Sequence, residues 1–208
     1  INHFRWVARA PGGNTMDVRL GLREYLQIVA ATNFKQRVRK TVEYFHAAGT
    51  LDFAEVTTFN LDEFVGLGED DEGSYRAYMR RYLFDRVNLP AGQGHVLDGL
   101  AADPDAECAS FEERIAAAGG IDLMILGLGA NGHIGFNEPD SSLQARTHRV
   151  TLLEPSRQAN AGFFGGDPAQ VPAEAMTMGM GTILKARRIL LLVTGPEKAA
   201  TVAALVNG

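Results

Sequence analysis

The stretch IDLMILGLGANGHIGFNEP, residues 121–139, runs from apolar sequence into a glycine-rich loop that carries polar side chains. Residues 123–128 form an almost unbroken apolar run, which is typical of a parallel strand that is buried on both faces. The glycines that follow allow a tight turn and a close approach of a ligand to the backbone. The stretch therefore predicts a buried strand that ends in a ligand-binding loop.

The rest of the chain repeats this arrangement of strand, loop and amphipathic segment. Residues 56–60 and 189–194 predict two further strands, each of which ends in a polar or glycine-containing loop. Amphipathic segments predict helices over residues 74–87, 105–118 and 198–206. Alternating strands and helices predict an α/β fold with a mostly parallel sheet, in which ligands bind at the carboxyl ends of the strands.

Length and composition indicate one globular domain. The chain has 208 residues, of which 46% are hydrophobic and 22% charged, so it can bury a core without disulfides or metals. We expect a single α/β domain over residues 1–208. The sequence stops within its last predicted helix, where a doubly wound sheet would continue into another strand, so a C-terminally truncated domain is the alternative.

Charge, cysteine content and hydropathy exclude several classes of protein. A net charge of -5 provides no broad basic surface for nucleic acid, and no apolar stretch approaches the roughly 20 residues of a membrane span. The lone Cys108 excludes an intramolecular disulfide and a multi-cysteine zinc site, and we expect a buried, unreactive thiol there. The start INHFRWVARA lacks the apolar core of a secretory signal. We therefore expect a cytoplasmic enzyme or binding protein without nucleic-acid or membrane partners.

The glycine-rich loop by itself supports two interpretations. Residues 127–132 fit the spacing of the dinucleotide fingerprint G-x-G-x-x-G, and Glu154 follows about 20 residues later. That fingerprint requires a helix directly after the glycines, whereas Gly135 and Pro139 make a poor helix opening. The spacing of the glycines thus fits a dinucleotide site, whereas the residues that follow them disfavour it. We expect no cofactor and no bound metal, since no side chains are clustered at metal-ligand spacing.

Two pairs of polar residues in the predicted loops can perform acid-base chemistry. His133 and Glu138 are close enough in a short loop to meet, so that the carboxylate fixes the imidazole tautomer. The alternative is that His133 only braces the loop. Asp62 and Glu63 follow the first predicted strand, and adjacent side chains on extended backbone point in opposite directions. One of these carboxylates can then act as a base while the other binds backbone.

Four stretches resemble the glucosamine-6-phosphate deaminase family in order and spacing. They are TTFNLDEFVGL at 57–67, GLGANGHIGFNEP at 127–139, SSLQARTH at 141–148 and MTMGMGTILKA at 176–186. The resemblance runs from about His46 to the end of the chain and implies a Rossmann-like three-layer sandwich with a mostly parallel sheet. The related 6-phosphogluconolactonases share that fold, but they typically continue with Thr-Ala-Ser after the Gly-His pair and lack the NLDE loop.

The resemblance implies a reaction and a role for each polar residue. Glucosamine 6-phosphate and water would give fructose 6-phosphate and ammonia, without a cofactor. Asp62 would be the base that moves a proton between C2 and C1, and His133 would open the sugar ring with Glu138 in its relay. Asn131 stands where some family members have aspartate and others asparagine. Lys198 matches a lysine that holds the substrate phosphate.

The phosphate-binding part of the resemblance is altered in this sequence. Gly127 and Gly132 lie in the glycine-rich turn that would contact the substrate. Thr32 and Asn33 occupy the place of a Thr-Gly-x-Thr/Ser-Pro loop, although its glycine and proline are missing and residues 1–45 match the family poorly. Gly162 replaces an arginine that contributes to phosphate binding in the family. We therefore expect weakened phosphate binding.

The resemblance also bears on regulation and assembly. Allosteric hexameric members bind N-acetylglucosamine 6-phosphate with an arginine and a lysine just after the SSL segment, where this chain has His148 and Val150. We therefore expect no activation by that effector. A homo-oligomer is left open, because the family includes monomers and hexamers.

Two other functions fit the same residues. One is that of a paralogue, either a 6-phosphogluconolactonase or an isomerase that acts on another sugar phosphate. The other is that of a non-catalytic sugar-phosphate sensor, which would suit a retained fold with weakened phosphate-binding elements.

Overall fold

The computed structural model describes residues 4–9, 15–20, 34–129 and 131–207. They fall into two compact units, one within Ile1–Val56 and Arg80–Gln93 and the other within Thr57–Met79 and Gly94–Gly208. The single domain expected over residues 1–208 stays a prediction. Thr32 and Asn33 lie outside the described residues, so their part in phosphate binding also stays a prediction.

The first unit contains a hairpin and a helix. β1 (Phe4–Arg9) pairs antiparallel with β2 (Thr15–Leu20). α1 (Phe34–Ala47) ends in a turn where the Thr50 hydroxyl donates to Phe45 O, 3.0 Å away. A 3-10 turn, Phe84–Arg86, also belongs to this unit.

The second unit contains the strands on which the predicted functional loops depend. Its parallel pairs are β3 (Thr58–Phe59) with β5 (Gly94–His95) and β6 (Met124–Gly127) with β9 (Ile189–Leu192). Its antiparallel sheet has the order β4 (Asp62–Phe64), β8 (Glu174–Thr177), β7 (His148–Thr151). The three predicted strands are present as the shorter β3, β6 and β9, and they carry the predicted loops at their carboxyl ends.

The remaining helices that the structure describes lie wholly or partly in the second unit. They are α2 (Tyr75–Tyr82), whose residues from Arg80 onward belong to the first unit, α3 (Pro104–Ala117), α4 (Glu154–Asn160), α5 (Met180–Leu184) and α6 (Ala199–Asn207). Asp103 caps α3, because its carboxylate accepts hydrogen bonds from the N–H groups of Asp105 and Ala106 at 3.0 and 3.1 Å. The helix predicted over residues 74–87 ends early, at Tyr82. Among the described residues, no helix has the length and apolar character needed to cross a bilayer.

Two clusters of buried side chains form the core of the second unit. In the first, Cys108 and Phe111 of α3 pack with Met124 and Leu126 of β6. Burial raises the pKa of the Cys108 thiol to about 12, with a smaller contribution from nearby carboxylates. The expected burial of this thiol is confirmed, and its low reactivity stays a prediction. The second cluster joins β4, β8, the loop after β6 and the residues on either side of α4, and its members are Phe64, Phe136, Leu152, Ala161, Val171 and Ala175.

The expectation that β6 and β9 are buried on both faces is wrong. Met124 and Leu126 are buried, whereas Ile125 is 59% exposed and its register partner Leu190 is 45% exposed. Side chains alternate across a strand, and the core cluster lies on only one face of this pair. Among the described residues, core side chains therefore pack on one face of this strand pair.

Candidate active site

Strand β4 directs two neighbouring carboxylates to different environments. Glu63 is 1% exposed, and its Oε1 accepts hydrogen bonds from Phe64 N at 2.9 Å and Tyr75 N at 3.0 Å. Its Oε2 accepts from Arg76 N at 2.8 Å. Burial raises the pKa of Glu63, and the three backbone N–H donors partly offset that rise. Glu63 thus binds the backbone at the start of α2, as the alternation of side chains predicts for one carboxylate of the pair.

Asp62 is the other carboxylate of β4, and no backbone N–H among the described residues donates to it. Burial raises the pKa of Asp62 to about 7, and the neighbouring charge of Glu63 adds to the rise. A general base is most effective when its pKa lies near the working pH, because it must be deprotonated and still basic. Asp62 therefore has the electrostatic setting of a general base.

The loop after β6 holds His133 against the backbone. Gly129 N donates to His133 O at 2.8 Å, and Gly132 N donates to Gly129 O at 3.1 Å. A Cβ on Gly129 would lie 2.2 Å from His133 Cε1, so the imidazole packs directly on the missing side chain. Gly132 has a φ of 95°, which favours glycine. Gly132 therefore lies in the predicted turn, whereas Gly127 is the last residue of β6. Gly129 is a further requirement that the sequence did not single out.

His133 and Glu138 are joined through Asn131. His133 Nδ1 lies 2.7 Å from Asn131 Oδ1, and Asn131 Nδ2 donates to Glu138 Oε2 at 2.7 Å. The direct separation between His133 Nδ1 and Glu138 Oε2 is 4.0 Å. The amide therefore lies between the ring and the carboxylate, and the role of these three residues as a relay stays a prediction.

This geometry decides which imidazole nitrogen carries the proton. Glu138 accepts from the Asn131 amide nitrogen, so the Asn131 oxygen must face His133. An amide oxygen can only accept, so His133 Nδ1 must donate and carries hydrogen. In the neutral ring Nε2 then keeps a lone pair, which can take a proton from a ligand and return it.

The turn that follows His133 is fixed on strand β8. Asn137 Nδ2 donates to Ile134 O at 3.0 Å and to Met178 O at 2.9 Å. Phe136 N donates to Thr177 Oγ1 at 3.1 Å. No helix follows the glycines, since residues 134 and 137 form an isolated bridge. The loop therefore lacks the helix that the dinucleotide interpretation requires.

Gly135 brings the histidine loop against the strand that carries Asp62. Its φ is 60°, and a Cβ there would lie 2.8 Å from Thr177 Oγ1 and 3.4 Å from Asp62 Oδ2. A larger residue would push the loop away from β4. The structure thus brings Asp62 and the His133 loop together at this glycine.

Lys198 also reaches the glycine-rich loop. It lies in a 3-10 turn, Pro196–Lys198, and its Nζ donates to Leu128 O. Lys198 is half-buried, so part of its ammonium group can face an anion beside the loop. Among the residues that the structure describes, no group of three or more His, Cys, Asp or Glu could hold a metal ion.

Known proteins resemble this chain over most of its length. The profile of the family described as glucosamine-6-phosphate isomerases/6-phosphogluconolactonase matches residues 33–208. The chain is 49% identical over 160 residues to a glucosamine-6-phosphate deaminase of Alkaliphilus oremlandii, covering 77% of this chain and 66% of the relative. It is 48% identical over 161 residues to glucosamine-6-phosphate deaminase 2 of Mus musculus, covering 77% and 58%. The match therefore spans 58–66% of the length of these relatives, which is less than two thirds.

Solved structures share the fold. A monomeric glucosamine-6-phosphate deaminase is 42% identical with a TM-score of 0.79, covering 83% of this chain and 71% of that one. A 6-phosphogluconolactonase from Thermotoga maritima is 21% identical with a TM-score of 0.58, covering 81% and 71%, and is similar in fold alone. The fold is thus the expected Rossmann-like α/β type. The chain belongs to the glucosamine-6-phosphate isomerase/6-phosphogluconolactonase family.

Proposed function

We propose that this chain is a glucosamine-6-phosphate deaminase, which converts glucosamine 6-phosphate and water into fructose 6-phosphate and ammonia. The observation that carries the proposal is the hydrogen-bonded set His133, Asn131 and Glu138, in a loop whose Gly135 approaches the Asp62 carboxylate. Relatives named glucosamine-6-phosphate deaminase, 48–49% identical to this chain, support the same substrate.

Ring opening is the step that the relay suits. The closed sugar must lose a proton from O1 and gain one at O5, and a single imidazole can transfer both. We assign this transfer to Nε2 of His133, because Nδ1 is engaged with Asn131. Glu138 and Asn131 hold the ring in that tautomer and stabilise the imidazolium that forms during the transfer.

Proton transfer along the opened sugar requires a second base. Asp62 would take the proton from C2 and deliver it to C1 through an enolamine, after which water releases ammonia. A pKa of about 7 allows the Asp62 carboxylate to accept this proton and give it back. Lys198 would hold the phosphate beside the glycine-rich loop, together with backbone N–H groups around Gly127 and Gly132.

The assay is the turnover of a panel of hexose and hexosamine phosphates, with ammonia and fructose 6-phosphate measured separately. Glucosamine 6-phosphate should give equal amounts of both products, and Asp62→Asn protein prepared in parallel should give neither at a comparable rate. Hydrolysis of a 6-phosphogluconolactone without ammonia release would instead support the lactonase. Binding of sugar phosphate without turnover by folded protein would support the sensor.

A further inference from the structure

Ser156 is a buried hydroxyl that touches the candidate relay from outside the sequence motifs. It lies in α4, it is 5% exposed, and its Oγ donates a hydrogen bond to Glu138 Oε1. Glu138 uses its other oxygen, Oε2, to accept from Asn131. The two oxygens of this carboxylate are therefore held from opposite sides by one hydroxyl and one amide.

The helix that carries Ser156 is itself fixed in place. Asn160 Nδ2 donates to Ser156 O at 2.8 Å, and Asn160 Oδ1 accepts from Tyr75 OH at 3.4 Å. Tyr75 stacks on Phe64 with 5.4 Å between ring centroids, and Phe64 follows the two carboxylates of β4. A chain of contacts thus connects α4 to the strand that carries Asp62.

We propose that Ser156 is a positioning residue that sets the proton-bearing nitrogen of His133 by fixing the Glu138 carboxylate. This inference rests on the proposed function, because it assigns Ser156 to the same proton transfer. Without the hydroxyl, Oε1 loses its donor and the carboxylate can rotate. The Asn131 amide then loses its fixed acceptor, and only the contact of its oxygen with His133 N at 3.2 Å still opposes a turn of its nitrogen toward the His133 ring. An amide nitrogen opposite Nδ1 would favour the tautomer with hydrogen on Nε2, which cannot accept the first proton.

The test compares Ser156→Ala with Ser156→Thr, which keeps the hydroxyl, and with Ser110→Ala. Ser110 is a matched control, since it also lies on a helix and bonds a charged side chain, accepting from Arg114 at 3.0 Å. The free energy of a hydrogen bond to a charged group, if it is lost from the transition state, typically corresponds to a rate decrease of about 10- to 100-fold. We expect kcat of Ser156→Ala to fall by about that factor, with KM within about twofold of wild type. Ser156→Thr and Ser110→Ala should keep kcat.

A second readout does not depend on turnover. Nitrogen-15 NMR of the His133 imidazole should show hydrogen on Nδ1 in the wild-type chain and in Ser156→Thr, and a mixture of tautomers in Ser156→Ala. If the chain fails to release ammonia from glucosamine 6-phosphate, the proposed function fails, and the NMR comparison still decides whether Ser156 sets the tautomer.

Three results would overturn the inference. They are an unchanged imidazole spectrum in Ser156→Ala, a loss of kcat without a change in that spectrum, and a changed spectrum with wild-type kcat. Thermal unfolding identifies a variant that does not fold. In that case Ser156→Cys, which has nearly the same size and a weak donor, replaces Ser156→Ala with the same expected direction.

Discussion

His133 and Glu138 do not touch: the imidazole Nδ1 and the nearer carboxylate oxygen are 4.0 Å apart, and the Asn131 amide occupies the gap. The negative charge therefore acts on the ring through a neutral group. With its oxygen toward the ring, the amide accepts the same hydrogen bond that a carboxylate would accept, but it adds no charge of its own. This geometry makes the tautomer of His133 the property on which the relay depends.

Replacing Asp62 by Asn should nearly abolish exchange of the C2 proton with solvent and leave the fold intact. Loss of a general base typically costs about 10² to 10⁴ in rate. Deuterium incorporation from heavy water into the substrate measures the exchange. Asp122→Asn is the matched control, because Asp122 pairs with Arg187 at 2.8 Å on an exposed surface. Near-normal exchange in Asp62→Asn would remove Asp62 from the mechanism.

The rate of the wild-type chain should rise with pH up to about 7. Asp62 must be ionised to accept the C2 proton, and burial raises its pKa from 3.8 to about 7. Below that value kcat/KM should fall about tenfold for each pH unit, because the ionised fraction falls by that factor. A pH-rate profile measured in buffers of constant ionic strength tests this. A profile that is flat between pH 5 and 7 would contradict it.

Asp62 should also make the protein less stable at high pH. The pKa of Asp62 is about 7 in the folded chain, and its ordinary value is 3.8. Between pH 3.8 and pH 7 the folded state therefore keeps a proton that the unfolded state has lost. The stabilising contribution is complete below pH 3.8 and is lost as pH rises through 7. Asn mimics the protonated carboxyl, so Asp62→Asn should exceed wild type in free energy of unfolding by on the order of 2–4 kcal/mol above pH 7.

Urea denaturation at pH 5 and pH 8 measures this difference. The difference in free energy of unfolding between Asp62→Asn and wild type should be larger at pH 8 than at pH 5. The same difference for Asp122→Asn should not change with pH. An equal difference for Asp62→Asn at both pH values would mean that Asp62 is not protonated in the folded chain near neutrality.

Adding a side chain at Gly129 should displace His133. A Cβ there would lie 2.2 Å from the ring, closer than real contacts allow. We expect Gly129→Ala to lose at least about 10²-fold in kcat, because misplacing a reacting group by about 1 Å can cost that much. Gly127→Ala is the control, because it also removes the backbone freedom of a glycine but creates no clash. A Cβ at Gly127 would meet no atom within 4 Å. The His133 imidazole NMR signals should move in Gly129→Ala and stay in place in Gly127→Ala.

Restoring the arginine at position 162 should lower KM. A Cβ on Gly162 meets nothing within 4 Å, so the larger side chain can be accommodated. Arginine binds phosphate with two parallel hydrogen bonds, whereas Lys198 offers a point charge. We expect wild-type KM above the usual range of about 1 μM to 1 mM, a lower value in Gly162→Arg, and no measurable saturation in Lys198→Ala. Micromolar saturation by wild type, without a response to Gly162→Arg, would show that other groups hold the phosphate.

Much of the second unit could be predicted from sequence, because its signals are local. The apolar runs identified β3, β6 and β9 and the loops after them, and side-chain alternation predicted that one of Asp62 and Glu63 would bind backbone. The glycines of the loop after β6 indicated close approach of backbone. Each of these features depends on residues that are neighbours along the chain.

Other features depend on contacts between distant segments, and no local pattern shows them. Ser156 is 18 residues from Glu138 and sits in a helix that the sequence did not predict. The antiparallel sheet of β4, β8 and β7 was missed, since its strands are three or four residues long. The exposed side of β6 could not be predicted either, because burial depends on which elements cover a face.

The neighbouring carboxylates of β4 make this strand sensitive to insertions and deletions. Alternate residues face opposite sides, so a shift of one position against β8 would exchange Asp62 and Glu63. Glu63 would then face the side on which Asp62 now lies. Asp62 would lie beneath the start of α2, where its shorter side chain would not reach the N–H groups. A single-residue length change here would thus remove the base and uncap the helix together. Relatives that diverge in length should accordingly place their gaps outside this segment.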